Sequence, residues 1–312
     1  MTSPGETSAA PRVAALLLNW RLPDVTLQCL ADLRACGTPL EILVIDNGSD
    51  DGSVERLRPA LVDEELLALP QNLGYCAAIN RGVHWARRRG CELVLFVNND
   101  VRVPPGSLAP LVDLLRHDDG VAGVTPTILR GDGRVWCQGG RAAFHPNALK
   151  LCGEGGPPAP LEHRPEAVDF LTGACALYRV ADLGAVGDLD ESYFMYWEDV
   201  DLGWRLRAAG KRLIWLPWTR VTHLSSHSSG GGRSAMRKYM GGLNSVRYLR
   251  AHGTAVQWCA FVVFDVLLWP LTVFGGTGPA AAWAKARGIA AGLLGRKVTV
   301  GDVGRHQRVL PP

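Results

Sequence analysis

Four groups of polar residues stand directly after or before apolar runs, where their side chains could do chemistry together. Asp46 closes the run EILVID (41–46) and opens the cluster Asn47-Gly48-Ser49-Asp50-Asp51-Gly52-Ser53. A carboxylate there can accept hydrogen bonds from the N–H groups of a flat ring such as uracil or thymine. The same Asp-Asn-Gly-Ser series is also ordinary turn and helix-capping chemistry. Asp100 follows ELVLFV (92–97) and the pair Asn98-Asn99. It can hold Mg²⁺ or Mn²⁺ while diphosphate oxygens fill the remaining positions, or it can simply serve the loop. His223 ends the run 211–223. It is either structural or a second metal ligand, one that Mn²⁺ tolerates more readily than Mg²⁺.

The fourth group, Glu198-Asp199-Val200-Asp201, opens a helix closed by Gly210. Acids in a first turn are favoured by the helix dipole, and Asp201 is placed to pair with Arg205 four residues on. The aromatic run Tyr193-Phe194-Met195-Tyr196-Trp197 directly precedes them. It sets a carboxylate beside an aromatic wall that can bind a sugar face and hold a base in place.

Several other chemistries lose their signatures. The turn after the first strand, Asn19-Trp20-Arg21-Leu22-Pro23, has no glycine, so a dinucleotide-binding G-x-G-x-x-G is missing where hydride transfer needs it. No P-loop, H-E-x-x-H or G-x-S-x-G is present. Eight cysteines without a C-x-x-C pair argue against structural zinc and against a disulfide framework, and suit a reducing compartment. The first ten residues lack a secretory pattern, so a cytoplasmic location is expected.

The elements that must position these residues alternate between strand and helix. Strands are expected at 13–18, 41–46, 66–69 and 92–97, with helices over 23–35 and from 72–74 to about 89. Such alternation implies an α/β fold with a mostly parallel central sheet and helices on both faces. Ligands then bind at the carboxyl ends of the strands, where the clusters 46–53 and 98–100 fall. From 125 to 166 glycine and proline are dense, and a hairpin with a mobile loop is expected. A strand over 168–178, interrupted at Thr172-Gly173, and another over 211–223 complete the sheet.

The net charge of +3 divides unevenly: residues 1–223 carry −6 and residues 224–312 carry +9. That layout is not a nucleic-acid binder's, and it points one end of the chain at something anionic. The apolar stretch 256–275 is nearly long enough to span a bilayer, but Asp265 and Pro270 interrupt it. With Lys285, Arg287, Arg296 and Lys297 following, an interfacial helix is the favoured reading over a buried or dimer-forming helix and over a span. The run Gly230-Gly231-Gly232 is a candidate for a loop that orders on ligand binding. Beyond it Arg233, Arg237 and Lys238 either close on a diphosphate or form a solvated basic helix face.

Together the segments VIDNGSDDGS (44–53), NLGYCAAINRG (72–82), VLFVNNDV (94–101), LTGACALYRV (171–180) and YFMYWEDVDLGWRLRAAG (193–210), with His223 after them, resemble family 2 glycosyltransferases. These are inverting enzymes of the GT-A fold, and the likeness is to their rhamnosyltransferase-like group. The resemblance implies Asp46, with Asn19, as the base contact, and Asn72, Gly74, Asn80 and Gly82 as the helix start beside the nucleotide, with Asn99 near it. It implies Asp100 and His223 as ligands of Mn²⁺ or Mg²⁺, although Asn98 replaces the first acid of the usual D-x-D. It makes Asp199 the base, with Glu198 as competitor, and Thr172, Gly173, Tyr196 and Trp197 the sugar or acceptor pocket. Arg21 stands where a second asparagine is usual.

The implied donor is a UDP- or dTDP-sugar, rhamnose or another hexose. The implied acceptor is a hydroxyl on a polysaccharide, a polyprenyl-linked glycan or a small natural product. The expected segments are a flexible N-terminus (1–11), a nucleotide-sugar-binding catalytic domain (12–223) and a helical C-terminal extension (224–312), peripheral to the inner face of the cell membrane. A homodimer is compatible with this layout. The rival readings are an inactive scaffold, which should have lost Asp46, Asp100, Asp199 and His223, and a sugar-1-phosphate nucleotidyltransferase, which would carry a glycine-rich basic loop at 19–23.

Overall fold

The computed structural model describes residues 11–142, 149–224, 235–269, 278–298 and 301. Among the described residues twelve strands are present: β1 (Val13–Asn19), β2 (Glu41–Asp46), β3 (Glu65–Ala68), β4 (Leu93–Asn98), β5 (Val101–Arg102), β6 (Val121–Arg130), β7 (Val135–Cys137), β8 (Gly140–Arg141), β9 (Lys150–Leu151), β10 (Glu166–Ala167), β11 (Cys175–Arg179) and β12 (Arg212–His223). The α-helices are α1 (Pro23–Ala35), α2 (Ser53–Leu57), α3 (Tyr75–Arg88), α4 (Ala109–His117), α5 (Val180–Ala185), α6 (Glu198–Ala208), α7 (Ala235–His252), α8 (Ala255–Phe261) and α9 (Pro279–Leu293). A π-helical turn, Val262–Leu267, continues α8.

The main sheet runs β10-β12-β6-β11-β4-β1-β2-β3, with β5 on β12 and β7 on β6. β3, β2, β1 and β4 are mutually parallel, β11 runs antiparallel between β4 and β6, and β6 pairs parallel with β12. The chain winds outward from β1 in both directions. The carboxyl ends of β1, β2 and β4 therefore border a switch-point crevice, and Asn19, Asp46 and Asn98 are their last residues.

Period-two alternation puts both faces of the sheet into cores. In β1, Ala14 and Leu16 face the side covered by α3 and α6, while Val13, Ala15 and Leu17 face the side of α1 and α4. Val246, Tyr248 and Leu249 of α7, Phe261 of α8 and Ile289 of α9 join the first of these cores, so the C-terminal helices share it with the sheet. α7 and α9 meet backbone to backbone. A Cβ on Gly288 would lie 2.0 Å from the Tyr239 carbonyl oxygen, and one on Gly242 would lie 2.4 Å from that of Lys285. Small residues four apart on α9 (Ala284, Gly288, Gly292) make that approach possible.

α1 and β2 fall where the sequence places them, but three expectations need correction. Residues 125–130 belong to the long strand β6 rather than to a loosened region. Gly123 and Pro126 obscure that strand, yet both fit it. A Cβ on Gly123 would lie 2.6 Å from the Tyr178 ring. Pro126 lies beyond the last rung to β11, at Val124, and is the last residue paired with β12, opposite Leu216, before that ladder shifts register. The expected strand 168–178 is confined to Cys175–Arg179. Finally, the described part of the apolar stretch, 256–269, is not one continuous α-helix: α8 passes into the π-turn, and Asp265 forms an ion pair with Lys285 of α9; residues 270–275 lie outside the described residues. Among the described residues no helix is long and apolar enough to cross a membrane.

Candidate active site

At the crevice the first cluster is a chain of buried hydrogen bonds. Asn99 Nδ2 donates to Thr26 Oγ1 at 2.9 Å, Thr26 Oγ1 donates to Asn19 Oδ1 at 2.7 Å, and Asn19 Nδ2 donates to Asp46 Oδ2 at 2.7 Å. The Ser49 amide donates to the other oxygen, Asp46 Oδ1, at 2.9 Å. Asp46 is fully buried, and both of its oxygens organise the end of β1 and the turn after β2. Thr26, on the inward face of α1, ties the chain together and has no sequence signal beyond being polar on a buried helix face. Asn47 works the same way. Its side chain accepts from the Leu73 amide at 2.9 Å and donates to Asn72 Oδ1 at 3.1 Å, so the 72–74 segment is moored to the 46–49 turn.

Gly74 has φ +86°, and a Cβ there would lie 2.5 Å from the Phe194 carbonyl oxygen, which accepts from the Tyr75 amide at 2.7 Å. The start of α3 is thereby fixed to the aromatic run. A cavity of about 770 Å³ opens beside it, lined by Asn72, Leu73, Asp190, Phe194 and Lys297 among others, within the size range of small-molecule sites. Asn80 points elsewhere. Its amide donates to the Leu189 carbonyl at 2.8 Å and accepts from the Leu189 amide at 3.1 Å, so it clips the 189–191 segment to α3 rather than facing the crevice. Gly82 lets α3 approach the sheet, since a Cβ would lie 2.7 Å from Leu16.

The second cluster is assembled by strand pairing. Antiparallel β5 and β12 place Val101 opposite His223, and the Leu224 amide donates to the Asp100 carbonyl at 2.9 Å. That register brings His223 Nε2 to 3.0 Å from Asp100 Oδ1, both residues nearly buried. Trp136 of β7 backs the imidazole edge-on, ring centres 4.6 Å apart, while His223 Nδ1 is buried with no hydrogen-bond partner among the described residues. The pair fits a divalent cation. Adjacent ligands of an octahedral site with bonds near 2.1 Å stand about 3.0 Å apart. Among the described residues no third His, Cys, Asp or Glu joins them, so further coordination would come from substrate oxygens and water.

The third cluster is the turn into α6. Tyr196 (φ 67°) and Trp197 (φ 73°) are both in the left-handed region, a conformation costing about 1–3 kcal/mol per non-glycine residue and typical of functional sites. Glu198 is buried, with Oε2 lacking a hydrogen-bond partner among the described residues. Burial, then the neighbouring Asp199 charge, pushes its carboxyl far above the usual range. Asp199 is half-buried and accepts from the Val200 amide at 2.9 Å. Burial raises its pKa to about 6, opposed by that hydrogen bond and by the Arg237 charge. The two acids titrate as a coupled pair, both carboxyls raised by burial. Asp201 is structural, as its spacing suggests: it binds Arg205 at 2.7 Å and His252 of α7 at 2.7 Å.

The remaining expected residues are distributed as follows. Thr172 is buried, its hydroxyl next to the Cys137 thiol, and Gly173 lies against the Tyr75 hydroxyl, which donates to its carbonyl at 3.3 Å. Tyr75 feels the Glu198 charge after its own burial, so Thr172-Gly173 and the acid pair belong to one neighbourhood. Trp197 departs from the expected sugar-facing wall: it is buried, its ring packed against Tyr248 of α7 with centres 5.6 Å apart. Tyr196 is half-buried, with the Arg237 guanidinium 5.7 Å from its ring centre. Lys238 follows on α7. Arg233 and the 230–232 glycines lie outside the described residues. Asn244 carries no sequence signal: it is a fully buried residue of α7 whose side chain reaches the carbonyls of Met195 and Tyr196.

This architecture, a curled and mostly parallel sheet with its acids at strand ends, is that of GT-A glycosyltransferases. The mannosyltransferase PcManGT from Pyrobaculum calidifontis, solved with GDP-Man and Mn²⁺, aligns with TM-score 0.57 at 17% identity over 96% of this chain and 80% of that one. GalNAc-T7, solved with UDP, GalNAc and Mn²⁺, aligns with TM-score 0.57 at 13% identity over 88% of this chain and 59% of that one. Residues 20–186 match the family model for glycosyl transferase family 2, and the chain belongs to that family. A curated relative, the N-acetylglucosaminyl-diphospho-decaprenol L-rhamnosyltransferase of Mycobacterium tuberculosis, is 33% identical over 218 residues, 62% of this chain and 69% of that protein.

Proposed function

We propose that this family 2 glycosyltransferase moves a hexose of the rhamnose type from a UDP- or dTDP-sugar to a hydroxyl of a polyprenyl-diphosphate-linked glycan, with inversion at the anomeric carbon. The observation that carries this reading is the acid pair at the start of α6, in one neighbourhood with Tyr75 and Thr172-Gly173, where burial raises Asp199 to about 6. A carboxylate with that proton affinity is ionised at neutral pH yet basic enough to accept the acceptor hydroxyl's proton, a contribution of about 10²–10⁴-fold.

Asp100 and His223 would hold Mn²⁺ or Mg²⁺. The cation supplies positive charge to the departing nucleoside diphosphate. Arg237, whose charge acts on Asp199, would add to that field. Asn19 and Asp46 form the floor on which the base rests, and Asn72 lines the cavity beside it. Thr172 and Gly173 border the sugar. The mycobacterial relative, named for an L-rhamnosyl transfer to a decaprenyl-linked sugar, supports the lipid-linked acceptor.

A peripheral position on the cytoplasmic membrane face fits the same acceptor. Val266 and Leu267 of the π-turn, with Trp283 and Leu294, are exposed. Arg287 and Arg296 are exposed with them, and Asp265 is neutralised by Lys285, a combination that suits an anionic lipid surface. We assign 12–223 as the catalytic domain and 224–312 as an extension that also braces it. Thermal shift against UDP, GDP and dTDP, with and without Mn²⁺, tests the reading. Stabilisation by UDP or dTDP that needs the cation is expected, and no nucleotide effect under any condition would remove it.

A further inference from the structure

We propose that Asn244, oriented by Arg247, is a positioning residue for the base: it holds the strained turn that aims Asp199. The inference rests on the reading of Asp199 as base, and concerns α7, which lies outside the region matched by the family model. Its starting point is an unusual backbone. Tyr196 and Trp197 are consecutive left-handed aromatic residues, and neither is of a type that adopts this conformation readily. Something outside the turn must over-determine it.

One such restraint on the two carbonyls of the turn is a single amide group. Asn244 Nδ2 donates to the Met195 carbonyl at 2.9 Å and to the Tyr196 carbonyl at 2.8 Å. Asn244 is fully buried, and its Oδ1 accepts from Arg247 Nη1 at 2.7 Å. The guanidinium therefore fixes which way the amide faces, with its two donors toward the turn. Arg247 is itself held: Nη2 donates to the Arg296 carbonyl at 3.1 Å, and its plane lies 5.4 Å from the centre of the Tyr193 ring. Two adjacent carbonyls need two donors on one short side chain, with an acceptor behind them. Asparagine meets that requirement, aspartate lacks the donors, and glutamine is a methylene too long.

The Tyr196 carbonyl belongs to the peptide that leads into Trp197, and the Trp197 carbonyl accepts the first helical bond of α6, from the Asp201 amide at 2.9 Å. Holding that peptide plane sets the direction in which α6 begins, and with it the aim of the Asp199 side chain two residues on. A misplacement of about 1 Å at a reacting group costs about 10²-fold in rate. Asn244 touches neither Asp199 nor any reacting atom, so its effect is on placement alone.

The test compares Asn244→Ala, Asn244→Asp and Arg247→Met with Ser245→Ala, a buried polar neighbour on α7 whose hydroxyl donates only within its own helix, to the Gly242 carbonyl. Hydrogen exchange of the amides over 195–201 should quicken in the three variants and not in Ser245→Ala, with the strands of the sheet unchanged. This arm needs no sugar donor, so it stands even if no donor turns over. With a donor in hand, kcat should fall about 10²-fold in both Asn244 variants and less in Arg247→Met. Binding of UDP or dTDP should change little, and the acid limb of the kcat–pH profile should leave the region of pH 6. Unaltered exchange over 195–201 in folded Asn244→Ala would overturn the inference. So would an unchanged kcat, or nucleotide affinity that falls in step with rate. Should Asn244→Ala not fold, Arg247→Met, which retains the amide, decides on the same criteria.

Discussion

Replacing Asp199 by asparagine should make the protein more stable and inactive at the same time. In the native chain burial raises this carboxyl from its ordinary 3.8 to about 6, so the folded state holds the proton more tightly than the unfolded one. Ionised Asp199 is thus a cost to folding, fully felt above the folded pKa and relieved as pH falls toward the unfolded value. At 1.36 kcal/mol per pK unit the cost is about 3 kcal/mol near neutrality. Asparagine removes the charge, keeps the shape and can still accept from the Val200 amide. For a chain of 312 residues the gain amounts to about 5 °C in Tm.

The assay is thermal or urea unfolding of both proteins between about pH 4 and pH 8, with turnover measured in parallel. The variant's advantage should be largest at the alkaline end, shrink through pH 6 and vanish near pH 4, while turnover falls by about 10²–10⁴-fold. An Asp199→Asn protein less stable than its parent at about pH 8 would refute the reasoning. A stability difference that ignored pH would do the same.

Other outcomes follow from the same geometry. Asp100→Asn and His223→Ala should each abolish the Mn²⁺-dependent part of nucleotide stabilisation, which at a hundredfold excess over Kd is about 2.7 kcal/mol by thermal shift; stabilisation retained in both would remove the proposed metal pair. Gly288→Ala should destabilise by about 1–3 kcal/mol because its Cβ meets the Tyr239 carbonyl, whereas Gly241→Ala, which faces open space on the partner helix, should be neutral or mildly stabilising in urea unfolding. The double variant Leu267→Asp/Trp283→Asp should lose co-sedimentation with vesicles containing phosphatidylglycerol, and the parent should bind these better than phosphatidylcholine vesicles. Equal sedimentation of the two proteins would exclude that face from lipid contact.

What the sequence makes legible depends on how locally each feature is determined. Pro23 and the polar cluster after Asp46 mark the ends of α1 and β2 by short-range rules, and both were readable to the residue. β6 was not, because its glycine and proline are explained only by Tyr178 and by the point where β11 stops. The acids at strand ends announce a site, yet their geometry comes from pairings across the chain, such as Val101 opposite His223. Asn244 was silent for the same reason: its carbonyl partners lie 48 and 49 residues away. In sequence it is simply a polar residue within a helix. Trp197 shows the opposite error, since an aromatic beside an acid reads as a pocket wall until its partner Tyr248 is seen.

The central claim is transfer with inversion, driven by Asp199 and assisted by a divalent cation. Its most direct test is a screen of UDP- and dTDP-hexoses, rhamnose included, with a polyprenyl-diphosphate-linked acceptor and Mn²⁺. Release of the nucleoside diphosphate and the anomeric configuration of the product, by NMR, are read from the same reaction. Acceptor-dependent release, an inverted product and no release by Asp199→Asn are the predicted results. A product that retains the donor's configuration, or no release from any donor by a protein that binds the nucleotide, would contradict the account.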